Sequence, residues 1–246
     1  MLKLSDLPGT QKEADFLKGK AGDWKLKARI FTEGNATEAN LNRVESPRIL
    51  HLATHGMFLK KPPEPKKTLL SPMKLPGQGK GYVGRLTNPM HRSFLTFTGA
   101  EWTSKQWALG DSPVSWNDGI LTAAEVSTLS LEGTWVVTMS ACETGLGDLR
   151  SGEGVMGLRR AFIQAGAQNL LMTLWPVSDK HTVSFMKNFY EKAIASGDAP
   201  TAMAEVQKEM LLKFRNNKQW KALDLPTTKM AVQFAGPFVM SYRGMK

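Results

Sequence analysis

Two residues with complementary chemistry each follow an apolar run in this sequence. Cys142, the only cysteine in the chain, comes after the run at residues 134–140, and His55 comes after the run at residues 48–54. A thiol attacks a carbonyl carbon only as the thiolate, and a nearby imidazole can take the thiol proton or hold the thiolate as an ion pair. The two side chains therefore indicate a cysteine-nucleophile hydrolase, with Cys142 as the nucleophile and His55 as the base.

His51 is the alternative to His55, because residues four apart on an extended strand face the same side. His51 lies inside its apolar run, which favours a hydrogen-bonded imidazole in the core. His55 lies directly before Gly56, at the exit of the strand, and is the preferred base. The other histidines, His91 and His181, are expected to have ordinary surface or packing roles.

The composition is that of a globular protein with a substantial core. The chain has 246 residues, 41% of them hydrophobic, and 7 tryptophans. A single cysteine forms no internal disulfide, and the first residues lack the apolar stretch of a signal peptide. No apolar run approaches the roughly 18 residues of a membrane span. These features predict a cytoplasmic protein that does not associate with a membrane.

The chain is basic, with a formal net charge of +10 at pH 7. Its lysines form separate clusters, at residues 60–61, 66–67 and 213–221, which lie beside prolines or predicted helix ends rather than along one stripe. This distribution favours a solvated surface, or an acidic protein partner, over direct binding of nucleic acid.

The sequence indicates neither a cofactor nor a metal. Residues 152–157 spell G-x-G-x-x-G before a predicted helix, but a dinucleotide fingerprint begins where its strand ends, and here the strand ends about a dozen residues earlier. The chain has no G-x-x-x-x-G-K-[ST] motif. Its single cysteine and 4 scattered histidines lack the spacing of metal ligands.

Predicted strands and helices alternate over most of the chain. The strands are expected at residues 48–54, 134–140, 169–175 and 238–242, with a short one at 29–31, and the helices are expected to begin near residues 8, 37, 122, 155, 178 and 200. Near-continuous apolar strands separated by helices predict an α/β fold with a mostly parallel sheet and helices on both faces. In such sheets the ligand site lies beyond the carboxyl ends of the strands, where His55 and Cys142 are expected.

Residues 60–118 interrupt this alternation. The segment is rich in proline, glycine and lysine, and only residues 90–98 are compactly apolar. We expect an insertion at the rim of the sheet, with one short helix or strand near residues 93–97.

An ordered series of motifs covers nearly the whole chain. The motifs are Leu-Pro-Gly-Thr at 7–10, His-Leu-Ala-Thr-His-Gly at 51–56, Asp-Gly-Ile-Leu-Thr at 118–122, Ser-Ala-Cys-Glu-Thr-Gly at 140–145, Gly-Glu-Gly-Val at 152–155, Arg-Ala-Phe at 160–162, Ala-Gly-Ala at 165–167, Leu-Trp-Pro-Val-Ser-Asp at 174–179 and Phe-Tyr at 189–190. In this order and spacing the series resembles the CHAT domain, a caspase-like cysteine peptidase module that is often fused to tetratricopeptide repeats.

The resemblance implies a caspase-like α/β fold and a His–Cys dyad, with the catalytic histidine at His55 and the nucleophile at Cys142. It also implies an oxyanion hole formed by the backbone N–H groups of Gly56 and Cys142. The implied activity is that of a cysteine endopeptidase, which cleaves a protein or peptide substrate through a thioester intermediate without a cofactor.

Glu143, Trp175 and Asp179 are further candidates, either for a substrate pocket or for orienting the dyad. Each has an ordinary alternative role, since Glu143 could be solvated, Asp179 could interact with a helix start and Trp175 could pack. Ala141 occupies the position before the nucleophile, where arginine-specific relatives often carry an acidic residue.

The chain departs from the family pattern at its start, where only residues 1–6 precede the Leu-Pro-Gly-Thr motif and no tetratricopeptide repeats are present. We therefore expect residues 1–246 to be a single domain from the C-terminal part of a longer protein. Two alternatives to an autonomous peptidase stay open. One is a non-catalytic or partner-activated scaffold, with the activating partner at residues 60–118 or at the absent repeats. The other is a basic nucleic-acid-binding module.

Overall fold

The computed structural model describes residues 2–59, 88–109, 116–140, 153–175, 177–216, 233 and 235–243. Within these ranges helices and strands alternate over much of the chain. The strands are β1 (Ile49–Leu52), β2 (Gly56–Phe58), β3 (Ser93–Thr96), β4 (Ile120–Thr122), β5 (Val136–Met139), β6 (Asn169–Thr173) and β7 (Phe238–Tyr242). The helices are α1 (Pro8–Ala21), α2 (Glu38–Asn42), α3 (Pro89–Arg92), α4 (Ala100–Leu109), α5 (Ala123–Val126), α6 (Glu153–Gln164), α7 (Asp179–Ser196) and α8 (Ala199–Asn216).

A four-stranded sheet with the order β1-β5-β6-β7 forms the centre of the fold. β1, β5 and β6 run parallel, and β7 pairs antiparallel with β6. In this register Leu52, at the end of β1, lies opposite Met139, at the end of β5. All 4 residues of β5 are buried, because this strand has a neighbour on each side and is covered on both faces. The predicted mostly parallel α/β sheet is confirmed.

Helices cover both faces of this sheet. Successive residues of a strand face opposite sides, so Val137 of β5 packs in one core with α6, whereas Val136 packs in a second core with α7 and α8. Phe162 of α6 and Phe189 of α7 are fully buried in these two cores. Burying a side chain of this size stabilises a fold by roughly 1.5–3 kcal/mol, so these helix faces hold the layers together.

A second sheet, with three antiparallel strands in the order β2-β3-β4, follows β1 along the chain. Its central strand β3, together with α3 and α4, belongs to the segment expected to be an insertion. The segment has more regular structure than one short element, because Phe94 and Leu95 of β3 pair with both neighbouring strands and are buried. Residues 60–87 and 110–115 of the expected insertion lie outside the described residues.

Several element boundaries follow local signals in the sequence. Thr37 caps α2 by accepting a 3.2 Å hydrogen bond from the Asn40 N–H. Gly166, at φ 113°, turns the chain after α6, where an added Cβ would lie 2.6 Å from the backbone nitrogen of Glu132. The prediction of a short strand at residues 29–31 is wrong, because these residues have no regular secondary structure.

The Glu38 carboxyl group is buried between α2 and the residues that lead into β4. It accepts a 2.6 Å hydrogen bond from the Gly119 N–H, and only 1% of the residue is exposed. Burial raises the pKa of this carboxyl from 4.5 to about 7. The Gly119 hydrogen bond opposes the rise in this pKa, and the nearby Asp118 and Glu125 carboxylates add to it.

The stability of the protein is therefore expected to fall as the pH rises from 4.5 to about 7, because native Glu38 retains a proton that the unfolded chain releases. Replacing Glu38 by glutamine removes this titration. The variant is expected to be about 2 kcal/mol more stable than the wild type at pH 8, with little difference at pH 4. Urea unfolding at the two pH values measures the effect, with the exposed Glu33→Gln as the control. Parallel pH profiles for the wild type and Glu38→Gln would contradict this explanation.

Candidate active site

His55 lies in the short connection between β1 and β2, where the chain passes from the first sheet to the second. Its carbonyl oxygen accepts a 2.9 Å hydrogen bond from the Thr96 N–H of β3, and the Thr54 hydroxyl donates to the Thr96 carbonyl. The backbone around His55 is thus fixed by β3. Only 6% of the residue is exposed, so the imidazole is held inside the protein at the carboxyl end of β1.

The imidazole of His55 contacts the N-terminal segment of the chain. Its Nε2 lies 2.8 Å from the Ser5 carbonyl oxygen. The segment is held against α4 by hydrogen bonds from the Leu4 N–H to the Glu101 carboxylate and from the Leu2 N–H to the Ser104 hydroxyl. Because a carbonyl oxygen only accepts, this contact requires a proton on Nε2. In a neutral ring, Nδ1 is then the nitrogen that can take a proton.

Cys142 and Glu143 lie outside the described residues, but β5, the strand that precedes them in the sequence, is described up to its end. Met139 pairs with Leu52, and the next residue, Ser140, donates a 2.8 Å hydrogen bond from its N–H to the Leu52 carbonyl. Neighbouring strands of a sheet lie about 4.8 Å apart. The chain therefore leaves β5 beside the point where it leaves β1, and His55 and Cys142 are each 3 residues beyond the paired residues Leu52 and Met139.

His51 has the core role that the sequence favours. Its Nε2 lies 2.8 Å from the Glu13 carboxylate, and its Nδ1 lies 2.7 Å from the Thr138 hydroxyl and 3.0 Å from the Tyr190 hydroxyl. Burial raises the pKa of Tyr190 well above its usual range, so this phenol stays protonated. With both ring nitrogens engaged, His51 joins β1 to α1, β5 and α7 rather than facing the loops.

Glu13 of α1 is a residue that the sequence reasoning missed. It is 2% exposed, and besides His51 its carboxylate accepts a 2.9 Å hydrogen bond from the Ser140 hydroxyl. The sequence contains one relevant signal. Gly9, Glu13 and Phe16 share the helix face that packs on the core, so a carboxylate lies within an otherwise non-ionic stripe. A buried carboxylate needs partners, and here they come from β1 and from the residue directly after β5.

The remaining predicted residues lie at the same edge of the sheet where the structure describes them. Trp175 is partly buried 2 residues after the end of β6, which runs parallel to β5. Asp179 is the first residue of α7, and its side chain lies outside the described part. Gly56 is the first residue of β2. Trp175 and Gly56 therefore lie beyond the carboxyl ends of the parallel strands β6 and β1.

In the part of the chain that the structure describes, no group of three or more His, Cys, Asp or Glu side chains is arranged to hold a metal ion. Of the helices that these residues form, none is long and apolar enough to cross a membrane.

The chain resembles known proteins in sequence as well. It is 37% identical over 89 residues to tetratricopeptide repeat protein 28 of Homo sapiens and 35% identical over 89 residues to the Mus musculus protein of the same name. Each match covers 36% of this chain and 4% of the relative, so the chain spans only a small part of the curated relatives. The profile of the CHAT domain matches residues 1–234. The chain therefore belongs to the CHAT domain family, the caspase-like peptidase family that its motifs resemble.

Proposed function

We propose that this chain is a cysteine endopeptidase in which His55 activates the thiol of Cys142. The observation that carries the proposal is the in-register parallel pairing of β1 and β5, which ends at Leu52 and Met139. Because both residues of the dyad follow these paired ends by 3 positions, the two side chains are expected at the same edge of the sheet.

In the proposed mechanism, Nδ1 of His55 accepts the proton of the Cys142 thiol, since Nε2 donates to the Ser5 carbonyl. The thiolate attacks the carbonyl carbon of the scissile peptide and forms a carbon–sulfur bond. The protonated His55 then gives its proton to the leaving amine as the carbon–nitrogen bond breaks. Water hydrolyses the resulting thioester and regenerates the thiol. The Ser5 carbonyl acts as a positioning group that fixes the tautomer of the base.

The N–H groups of Gly56 and Cys142 are proposed to form the oxyanion hole. The Thr96 N–H donates to the His55 carbonyl and the Leu59 N–H donates to the Arg92 carbonyl, so these two residue pairs are hydrogen-bonded pairs of the β2–β3 ladder. Hydrogen-bonded and non-hydrogen-bonded pairs alternate along an antiparallel ladder. Gly56 and Leu95 therefore form a non-hydrogen-bonded pair, and the peptide N–H of Gly56 points away from β3. This direction supports a role for the Gly56 N–H outside the sheet, where one such donor contributes about 3 kcal/mol to acyl transfer.

The proposed substrate is a protein or peptide, and no cofactor takes part. Trp175 follows β6, Glu143 comes 4 residues after the end of the neighbouring strand β5 in the sequence, and Asp179 begins the next helix. We propose that these three residues line the substrate pocket. Their mixture of one aromatic and two acidic side chains would suit a substrate side chain with an apolar stem and a basic end.

A peptidyl acyloxymethyl ketone tests the proposal directly. Since the chain has 1 cysteine, any covalent adduct on a cysteine reports on Cys142. The native protein is expected to react at least about a hundredfold faster than the urea-unfolded chain, because a bound peptide holds its reactive carbon beside the thiolate. The rate is measured by mass spectrometry, and Cys142→Ala controls for labelling elsewhere. Peptide cleavage that persists in Cys142→Ala, or equal labelling of native and unfolded protein, would contradict the proposal.

A partner-activated scaffold is the second candidate function, favoured by the comparisons. Both relatives are named tetratricopeptide repeat proteins, and repeat arrays offer extended surfaces to protein partners. We propose that residues 1–246 are one domain of a longer protein, and that a protein partner bound at residues 60–118 or at preceding repeats controls its activity. Labelling that is slow alone and rises in the presence of the longer protein's other domains would favour this candidate over an autonomous peptidase.

A further inference from the structure

β7 forms one edge of the main sheet among the described residues. It pairs on one side with β6, with Asn169 opposite Tyr242 and Thr173 opposite Phe238. An edge strand presents unused peptide N–H and C=O groups, which makes it a template for a further strand.

The hydrogen bonds between β6 and β7 determine which peptide groups of β7 point outwards. Arg243 N–H donates to the Gln168 carbonyl, and Leu174 N–H donates to the Pro237 carbonyl. Hydrogen-bonded pairs alternate along an antiparallel ladder, so the peptide groups of residues 238, 240 and 242 point away from β6. The outward carbonyl of Phe238 accepts a 2.8 Å hydrogen bond from Gln207 of α8.

The outward peptide groups of Met240 and Tyr242 make no hydrogen bond with another described residue. Met240 is the middle residue of β7, and Tyr242, its last residue, pairs with the first residue of β6. Among the described residues, nothing pairs with this part of the edge, in contrast to the Phe238 end, which Gln207 covers, so it can accept a partner strand.

A groove of about 390 Å³ lies beside this open end of β7. Its lining combines the exposed face of α6 with the end of the strand: Arg159, Arg160, Ile163, Gln164, Ser241 and Tyr242. Arg160 is exposed and makes no ion pair with another described residue, and Tyr242 is 67% exposed. A lining that combines the apolar Ile163 with a cationic and aromatic rim suits an extended peptide with alternating side chains.

The charge of this rim selects the partner. Arg159 and Arg160 lie on α6, and Arg243 follows β7, where its guanidinium is 3.9 Å from the exposed Glu132 carboxylate. The chain as a whole carries a formal charge of +10. A second copy of this chain would bring another cationic rim against the first, whereas an acidic segment would be attracted.

We propose that an extended acidic segment of a protein partner adds to the outer edge of β7 as a further strand, with its carboxylates beside Arg160. This surface is separate from the candidate active site. Tyr242 pairs with the first residue of β6, whereas His55 follows the last residue of β1, so the two sites lie at opposite ends of the parallel strands. The proposal does not depend on peptidase activity, because it concerns docking alone.

Fluorescence anisotropy with a labelled peptide of alternating glutamate and valine tests this docking surface in the full chain. The wild type is expected to bind it, and Arg160→Glu is expected to weaken binding about fivefold to tenfold at low salt, because an attractive charge becomes repulsive. Lys208→Glu, which reverses an exposed cation on α8, is the matched control and is expected to bind as the wild type does.

A proline at position 242 tests the backbone contact. Tyr242→Pro removes an outward N–H without breaking a β6–β7 hydrogen bond, and it is expected to weaken peptide binding about threefold to tenfold more than Tyr242→Ala, which keeps that N–H. Circular dichroism confirms that each variant is folded. Failure of the folded wild type to bind, equal binding of a lysine–valine peptide, or equal binding by Tyr242→Pro and Tyr242→Ala would overturn the proposal. Self-association that Arg160→Glu abolishes would instead assign the edge to a second copy.

Discussion

Replacing His55 by alanine is expected to slow alkylation of Cys142 by iodoacetamide about thirtyfold at pH 7. An isolated cysteine thiol has a pKa of about 8.5 and is therefore only about 3% thiolate at pH 7, whereas a thiolate paired with an imidazolium is largely ionised. The single cysteine makes the reaction easy to follow by mass spectrometry. The position of His55, fixed by Thr96 and by the Ser5 carbonyl, is what prepares the imidazole for this role.

The pH dependence distinguishes this explanation from a change in access to the thiol. Above about pH 10 the thiol of either protein is ionised, so the rates of the wild type and His55→Ala are expected to converge. A difference in rate that is the same at pH 7 and pH 10 would contradict the proposed ion pair and would indicate altered access to the thiol. Unfolding in urea should bring both proteins to one common rate at every pH.

His51→Gln is the matched control for the choice between the two histidines. Glutamine can still hydrogen-bond to Glu13, so the fold is expected to survive with a modest loss of stability. Because the His51 ring nitrogens face Glu13, Thr138 and Tyr190, its replacement is expected to leave the alkylation rate of the folded protein unchanged. A loss of reactivity in His51→Gln equal to that in His55→Ala would contradict the assignment of the base.

Periodicity and local signals predict the main sheet because its strands are short apolar runs with clear ends. β5 and β6 lie inside the predicted runs at residues 134–140 and 169–175, and β7 has the predicted bounds. The burial of β5 and β6 on both faces leaves no room for polar alternation, and glycine or proline follows each of the three strands in the sequence. For these strands the pattern of side chains determines the structure almost alone.

The second sheet is harder to predict, because its strands are only 3 or 4 residues long. In addition, β2 begins within the His-Gly motif and β4 ends at a helix cap, so their residues also belong to other sequence patterns. Thr122 ends β4 and also opens α5 through its capping box with Glu125. The sequence reveals the cap but gives no periodicity for a three-residue strand. β3 exists as a central strand only because β2 and β4 pair with it, and pairing is a tertiary property.

The candidate site also contains residues that the sequence predicts and contacts that it does not predict. His55 and Cys142 have side chains whose chemistry is visible in the sequence, and their dyad remains a prediction, since Cys142 lies outside the described residues. The contact of His55 with Ser5 could not be predicted, because any residue supplies a backbone carbonyl. Glu13 and His51 are 38 residues apart, and only the packing of α1 on the sheet brings them together.

Glu13→Ala is expected to lower the free energy of unfolding by about 2–5 kcal/mol, since each buried polar group that loses its hydrogen-bond partner costs about 1–3 kcal/mol. The substitution leaves His51 Nε2 and the Ser140 hydroxyl buried without the carboxylate that lies 2.8 Å and 2.9 Å from them. It also opens space in the α1 interface. The higher helix propensity of alanine recovers only a few tenths of a kcal/mol.

Urea unfolding followed by tryptophan fluorescence measures this loss, and two variants of α1 show its cause. Glu13→Gln keeps the shape and hydrogen-bonding oxygen of the side chain, so it is expected to cost about 1–2 kcal/mol. Asp15→Ala removes an exposed carboxylate from the same helix, bonded only to Gln11 at 2.9 Å among described side chains, and is expected to cost less than about 0.5 kcal/mol. If Glu13→Ala lost no more stability than Asp15→Ala, the buried carboxylate would not be what ties α1 to the strands that carry His51 and lead to Cys142.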